Sequence, residues 1–591
     1  MLARRPVALI AALGLIAGLV TRSDAIFLGT LLVGGVPLVL QTLLGMLRGR
    51  FAADVVAMLA IITAFILGQY FAGVVIVLMQ SGGEALEAYA MRRASRSLEA
   101  LLARAPKVAH RLDGDQVVDV PVDAVNVGDA LVIKPGDLVP VDVEVTEGSS
   151  AVDQSALTGE PAPIRAVLGT ALLSGSVNLE GVLRARALRP SAQSQYQQIV
   201  RLVERARQEK PPIQRLADRV AVWFTPLTLV MCGVAFLITG APTAVLAVLV
   251  VATPCPLILA TPVAVIAGIS RAADLGVIIK NGVAIEQVGR ARAVVFDKTG
   301  TLTLGQPSVA HVEALDGAAS DVLRLAAAVE QFSSHHLGRA VAEAGRDRFA
   351  SLPSVTDFQE TPGRGVTARV EGHVVSVGSV QYLADQGIAL DGSGARGNTA
   401  AYVAIDRVPS GKIEFADRLR HQVPALMQRL AVLGVTETVM LTGDHEAPAQ
   451  AIAAQAGIRT VRANLMPGDK VTAVRELTRR HGMVVMVGDG INDAPALAAA
   501  TVGIAMGAHG TAVSAEAADI VLLVDDIARV GDAMAISRRM RRIALQSIGV
   551  GLGVSFALMV IASFGHITPA AGAVMQEALD AAVILNALRV R

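Results

Sequence analysis

Apolar residues run along this chain in blocks of bilayer length, separated by polar punctuation. Stretches able to span a bilayer, roughly 20 residues each, occur near 6–21, 26–46, 53–69, 70–90, 219–239, 243–268, 545–565 and 569–588 and predict eight membrane helices. Between the fourth and fifth, residues 95–210 alternate valines with Gly-Asp turns, the pattern of a small β domain. Between the sixth and seventh, residues 275–540 alternate short apolar runs with helical patterns, as a doubly wound sheet does. The first apolar run, Pro6 to Val20, could pass for a signal peptide. It lacks a convincing cleavage site and a second apolar run follows at once, so a retained helix is expected. Arg4, Arg5, Arg48, Arg50, Arg92, Arg93 and the cluster Arg538 to Arg542 flank the spans on one side, with Arg22 a minor exception. The positive-inside rule assigns that side, both termini and both soluble segments to the cytoplasm.

Composition agrees. The 591 residues are 53% hydrophobic and only 17% charged, which puts much of the chain in lipid. A net charge of +1 gives no electrostatic case for a nucleic-acid partner. The two cysteines, Cys232 and Cys255, both lie inside apolar runs, so a disulfide framework is not expected.

The soluble segments carry the chemistry. Asp297-Lys298-Thr299-Gly300-Thr301 follows the apolar run Ala293 to Phe296, which reads as a buried parallel strand. A carboxylate at the end of such a strand sits where open α/β sheets place their ligands. The glycine lets backbone amides approach a phosphate. Gly488-Asp489-Gly490-Ile491-Asn492-Asp493 follows a second apolar strand, and Thr442-Gly443-Asp444 a third. Asp489 suits magnesium, a hard cation that wants carboxylate oxygens. Lys470, in Pro467-Gly468-Asp469-Lys470, offers a point positive charge. Together, in this order, these motifs resemble those of the P-type ATPases, in which the aspartate attacks the γ-phosphate of ATP.

The resemblance covers nearly the whole chain. It implies a polytopic α-helical membrane protein with eight spans and a cytoplasmic β actuator domain. An α/β haloacid-dehalogenase-like phosphorylation domain would carry an inserted α+β nucleotide-binding domain. The expected divisions are membrane helices at 1–94, 211–274 and 531–591, the actuator at 95–210, phosphorylation segments at 275–305 and 413–530, and the nucleotide-binding insert at 306–412. ATP and Mg2+ are the implied cofactors. Asp297, Thr299 and Asp489 would hold the magnesium, and Thr442, Lys470 and Asp493 would complete the catalytic group with Asp297. Thr299 and Asp444 would also face the nucleotide. In the insert, Glu330, Ser333, Ser334 and His335 resemble a Ser-Glu-His-Pro site whose histidine contacts adenine. Here the second position is serine and the last is His336, so either histidine could serve. Gly363-Arg364-Gly365 matches the family's Gly-x-Gly at the nucleotide. Thr158-Gly159-Glu160-Pro161 looks like the actuator loop, with Glu160 as the general base for the water that hydrolyses the aspartyl phosphate.

Two helices ahead of a six-helix core resemble the heavy-metal-transporting branch. There a double glycine, here Gly34-Gly35, breaks the second helix and lays Leu38 to Phe51 along the membrane as an ion-access platform. Small residues easing helix packing are the alternative. Thr253-Pro254-Cys255-Pro256 in the sixth span resembles that branch's Cys-Pro element, prolines breaking the helix around a soft thiol ligand. The last span carries Gln576, Glu577 and Asp580 at spacings that put all three on one helix face, and intramembrane carboxylates mark ion paths. One sulfur with oxygen donors argues against copper(I) and favours nickel, cobalt, iron(II) or zinc. Glu84 and Glu87 form either an ion-access funnel or surface charges, and Cys232 reads as packing. No Cys-x-x-Cys or His-rich stretch precedes the first span, so no soluble metal-binding domain is expected there. The expectation is a monomeric ATP-driven exporter of a divalent transition metal in the plasma membrane, bacterial inner membrane type. A P-type pump for another cation, or a passive channel or sensor on the same scaffold, are the rivals.

Overall fold

A computed structural model describes the chain apart from residues 1–4, 48–53, 95–105, 115, 155–162, 195–196, 198–211, 253–254, 316, 362, 391–399, 490–492, 507–516 and 591. The side chains at 5–6, 54, 84–87, 214–222, 255–259 and 306 also lie outside the description, so the roles expected of Glu84, Glu87 and the Cys255 thiol are not addressed by it. Two compact units emerge: Met1–Arg290 with Asp519–Val524 and Asp532–Arg591, and Ala291–Ala518 with Asp525–Gly531.

In the first unit, four helices are long and apolar enough to cross a membrane among the described residues: Asp24–Leu47, Tyr70–Ala94, Arg529–Ser563 and Pro569–Leu588. Shorter apolar helices, Val7–Thr21, Val55–Ile66, Trp223–Thr239 and Pro242–Val251, lie within the remaining expected spans. Two helices lie in the sixth expected span, Pro242–Val251 and Cys255–Asp274. Residues 253–254 of the Thr-Pro-Cys-Pro element lie outside the described residues, so the helix break expected there is not addressed. Cys232 is buried among membrane-helix side chains such as Phe224, Ala235 and Leu249, as its apolar neighbourhood predicted.

The double glycine does not break its helix. Asp24–Leu47 is continuous through Gly34, Gly35 and Pro37. A Cβ on Gly34 would lie 2.8 Å from Val77 Cγ1, and one on Gly35 3.1 Å from Ile61 Cγ2. Both glycines are spent on close helix approach, which lipid does not drive hydrophobically and small residues make possible. The break and surface platform read from the sequence are corrected to a packing role.

The β domain follows from alternation. Leu183–Ala187 buries Leu183, Ala185 and Ala187 while Arg184 and Arg186 face out. There they meet Glu147 at 2.9 Å and Glu144 at 2.8 Å. Leu131, Ile133, Val143 and Leu183 fill the core of antiparallel sheets of six and three strands. In the smaller sheet Ser150–Asp153 pairs with Ile164–Ala166, Val152 opposite Ile164. The segment between these two strands, which contains Glu160, includes residues 155–162 and lies there outside the described residues.

The second unit is built on a parallel sheet whose strands run Thr460–Arg462, Glu437–Leu441, Ala293–Asp297, Val484–Gly488 and Val502–Met506 in spatial order. Every residue of the last three is buried, as strands covered on both faces must be. Into this sheet is inserted a six-stranded antiparallel sheet with the helices Ala319–Glu330 and His336–Arg348 packed against it. The chain leaves along Thr303–Ala314 and returns along Val408–Leu419, strands that pair with each other, Thr303 opposite Leu419.

If Gly34 is a packing position, Gly34→Val should lower stability by about 1–3 kcal/mol through the clash with Val77. Gly29→Val, at a site with no atom within 4 Å, should change it little. Thermal unfolding in detergent checks this, and equal effects at the two sites would refute the packing role.

Candidate functional site

Strand register assembles the site. In the central pair Asp297 lies opposite Leu441, and Phe296 opposite Val487. Thr442, directly after Leu441, and Asp489, directly after the strand-end Gly488, therefore emerge at the same sheet edge as Asp297, across which open α/β sheets bind ligands. Asp297, Thr299, Thr442, Lys470, Asp489 and Asp493 line one pocket there of about 290 Å3. Lys470 Nζ donates to Asp297 Oδ1 at 2.6 Å and to Asp493 Oδ1 at 2.7 Å. Asp297 is only 5% exposed and Asp493 2%. Burial pushes the Asp297 carboxyl up to about 7, and the Asp493 charge adds to this while Lys470 opposes it. Burial works against the Lys470 charge, but Asp297 and Asp493 outweigh it and hold the ammonium pKa up.

The pentapeptide turns sharply after Asp297. Gly300 has φ +71°, the left-handed region, and a Cβ there would sit 3.1 Å from Asp489 Oδ2. Glycine is thus required twice, for the turn and for the approach of the Asp489 carboxylate. Lys298 is buried and ion-paired with Asp444. Thr442 Oγ1 accepts from the Asp444 amide at 3.1 Å.

Two further residues belong to this loop and escaped the sequence reading. Asp417 accepts from Thr303 Oγ1 at 2.5 Å. Arg420, 5% exposed, donates to the Gly300 carbonyl at 3.0 Å and pairs with Asp525 at 2.9 Å. Their only signal in the sequence is an Asp-x-x-Arg spacing at the end of the strand that returns from the insert.

In the insert, Glu330, Ser333, His335, Gly363 and Gly365 line a second cavity of about 240 Å3. Gly363 takes φ +72°, and a Cβ on Gly365 would lie 2.3 Å from the Tyr382 ring. Burial pushes Glu330 up to about 7, Ser333 opposing and Glu360 reinforcing the shift. Glu360, also missed in the sequence, accepts from Ser333 Oγ at 2.9 Å and the Ser334 amide at 3.3 Å. Ser333 Oγ in turn accepts from the His335 amide at 3.1 Å.

In the membrane, Gln576 and Asp580 lie on the buried stripe of Pro569–Leu588, and Glu577 sits half-buried beside it. Gln576 Nε2 donates to Asp580 Oδ1 at 3.2 Å, and Ser555 Oγ donates to Gln576 Oε1 at 3.4 Å. Ser555 is a third polar group the sequence did not single out. Among the described residues, Glu577 Oε2 is buried without a hydrogen-bond partner.

Known proteins share this plan. Residues 103–204 match the P-type ATPase actuator domain, and residues 291–501 match the haloacid dehalogenase-like hydrolases. The probable copper-exporting P-type ATPase V of Mycobacterium tuberculosis is 39% identical over 565 residues, covering 91% of this chain and 73% of that protein. The probable cobalt/nickel-exporting P-type ATPase of Mycolicibacterium smegmatis is 38% identical over 558 residues, covering 92% and 86%. The chain belongs to the heavy-metal-transporting P-type ATPases. The crystal structure of a zinc-transporting PIB-type ATPase in the E2.Pi state superposes with a TM-score of 0.64 at 31% identity, covering 100% of this chain and 99% of that one. The chain is an ATP-hydrolysing membrane enzyme with the expected actuator, haloacid dehalogenase-like phosphorylation and nucleotide-binding domains and membrane helices.

The raised pKa of Asp297 has a consequence for stability. The carboxyl ionises at about 7 in the folded protein against an ordinary 3.8. The folded state therefore gains from the proton below 3.8 and loses that gain as pH rises through 7. Asp297→Asn cannot ionise, so without magnesium and nucleotide it should melt at a higher temperature than wild type at pH 8. The difference should shrink towards pH 5. Calorimetry at the two pH values decides, and no advantage at pH 8 would contradict the buried-charge account.

Proposed function

We propose that this P-type ATPase exports a divalent transition metal (nickel, cobalt, iron(II) or zinc) by cycling through phospho-Asp297. The observation that carries this is the convergence of Asp297, Lys470, Asp493, Thr442 and Asp489 at one sheet edge. An Asp297 oxygen attacks the γ-phosphorus of ATP, the bond to the β-phosphate oxygen breaks, and ADP leaves. Lys470 offsets the charge that gathers on the transferring group, and Thr442 offers it a hydroxyl. Asp297, Thr299 and Asp489 would hold magnesium. An all-oxygen donor set suits that hard cation, and the missing Cβ of Gly300 leaves Asp489 room to approach. Bound magnesium supplies neutralisation of phosphate charge. Asp444, close to Thr442, is a nucleotide-side residue, and Glu330, His335, Gly363 and Gly365 receive the base in the insert. Glu160 activates the water that hydrolyses the aspartyl phosphate.

Cys255 with Gln576, Glu577 and Asp580 forms the transport site. The buried Gln576–Asp580 pair supports this, because a carboxylate in a membrane helix is costly without a cationic partner to receive. The copper-exporting relative makes copper the competing cargo. A site with one cysteine and oxygen donors speaks against copper(I), which favours sulfur-rich ligation. The arginine clusters at the span ends support cytoplasmic termini and soluble domains. We read the protein as a monomer of the bacterial inner membrane.

Asp297→Asn should abolish both phosphoenzyme and ATP turnover, because an amide cannot serve as the nucleophile. Glu160→Gln should instead accumulate phosphoenzyme while losing steady-state ATPase. Radiolabelled ATP with acid quench distinguishes the two. A labelled, hydroxylamine-sensitive Asp297→Asn protein, or a Glu160→Gln protein that phosphorylates poorly yet turns over normally, would reverse these assignments.

Cys255→Ala should remove metal-stimulated ATPase while leaving nucleotide binding intact. Asp580→Ala should weaken stimulation strongly and Glu577→Ala less. A panel of nickel, cobalt, iron(II), zinc and copper(I) on purified protein is the measurement. Stimulation by copper(I) alone, or full activity in all three variants, would overturn the divalent-metal reading.

A further inference from the structure

Three cavities of the second unit adjoin in series. The insert cavity, with Glu330, His335, Gly363 and Gly365, shares Leu337 with a middle cleft of about 710 Å3. That cleft shares Thr299 and Asp444 with the pocket around Asp297. A nucleotide with its base in the first cavity and its γ-phosphate at Asp297 must lay its intervening part across the middle cleft.

The middle cleft is lined by three side chains able to carry positive charge towards an anion, Lys298, His336 and His445, beside the neutral amide of Gln455. Two are engaged. Lys298 is ion-paired with Asp444, and His445 Nδ1 is hydrogen-bonded to Asn464 Oδ1 at 3.0 Å. His336 is exposed and has neither a hydrogen bond nor an ion pair among the described residues. Its contact is a ring stack on His335, centroids 4.3 Å apart and planes 33° apart.

The two histidines differ in how they are held. His335 caps the helix His336–Arg348, its Nδ1 accepting from the Leu337 amide at 3.3 Å. An accepting Nδ1 leaves the ring proton on Nε2, a donor for the base cavity that His335 lines. His336 is the first residue of that helix and lines the middle cleft instead. The stack therefore straddles the wall between the two cavities.

We propose that His336 is a second nucleotide contact, donating to the triphosphate arm of ATP while its neighbour His335 serves the base. The inference rests on the reading of the insert cavity as the base site. It answers which histidine meets adenine by giving the two residues separate parts of one ligand. An N–H donor to a phosphate oxygen is a charge-assisted bond, and its loss costs roughly tenfold in affinity.

The test compares a non-hydrolysable ATP analogue with adenosine, binding each to purified full-length protein by calorimetry. His336→Ala should weaken the analogue roughly tenfold and leave adenosine unchanged, which also reports an intact fold. His336→Pro, which suits a first helical position, should show the same split. His335→Ala should weaken both ligands. Wild-type affinity for the analogue in His336→Ala, or equal loss of analogue and adenosine, overturns the proposal. A wild-type protein that binds the analogue but no adenosine would overturn the base-cavity reading, and this inference with it.

Discussion

One ammonium holds two buried carboxylates in place, and the catalytic half of the chain is arranged around that fact. Asp297 and Asp493 sit within hydrogen-bond reach of Lys470 in a pocket too dry to shield like charges. Without the lysine, two anions would face each other with little solvent between them, a costly state that proteins avoid by protonation or rearrangement. With it, the Asp297 carboxyl rests at an intermediate point, neither fully neutralised nor freely ionised. In the proposed cycle, the approach of a phosphate and its metal would shift a balance that is already close.

What could be read from the sequence was whatever has a period or a fixed spacing. Fully buried strands leave unbroken apolar runs, so the carboxylates at their ends stood out, and parallel pairing brought Asp297, Thr442 and Asp489 together as expected. Gln576 and Asp580 were legible because four residues make one turn of a helix. Arg420 was not, since its bond to Gly300 spans 120 residues and no local pattern announces it. Glu360 and Ser555 were hidden for the same reason, each being an ordinary residue until a distant partner arrives. Gly34 and Gly35 show a different limit: a missing side chain allows bending or close contact alike, and only the neighbour, here Val77, decides between them.

The membrane half carries a comparable tension. Gln576 and Asp580 occupy the buried stripe of the last helix, where apolar side chains would pack at no electrostatic cost. A chain of hydrogen bonds from Ser555 through Gln576 to Asp580 satisfies part of that polarity, while a Glu577 oxygen nearby has none among the described residues. An incompletely satisfied group of this kind is what the proposed transport site would require, its ligand coming and going.

The insert leaves and rejoins the parallel sheet through two strands lying side by side, Thr303 opposite Leu419. A domain tethered this way has its two ends in adjacent positions, so it closes no large loop in the host and subtracts little from the host's own folding entropy. The same doubled strap limits its freedom. A single flexible tether would let it tumble, whereas two paired strands can flex as a ribbon but resist twisting apart. The nucleotide-carrying part is thereby confined to an arc, and a molecule bound in it is delivered along one line rather than from any direction.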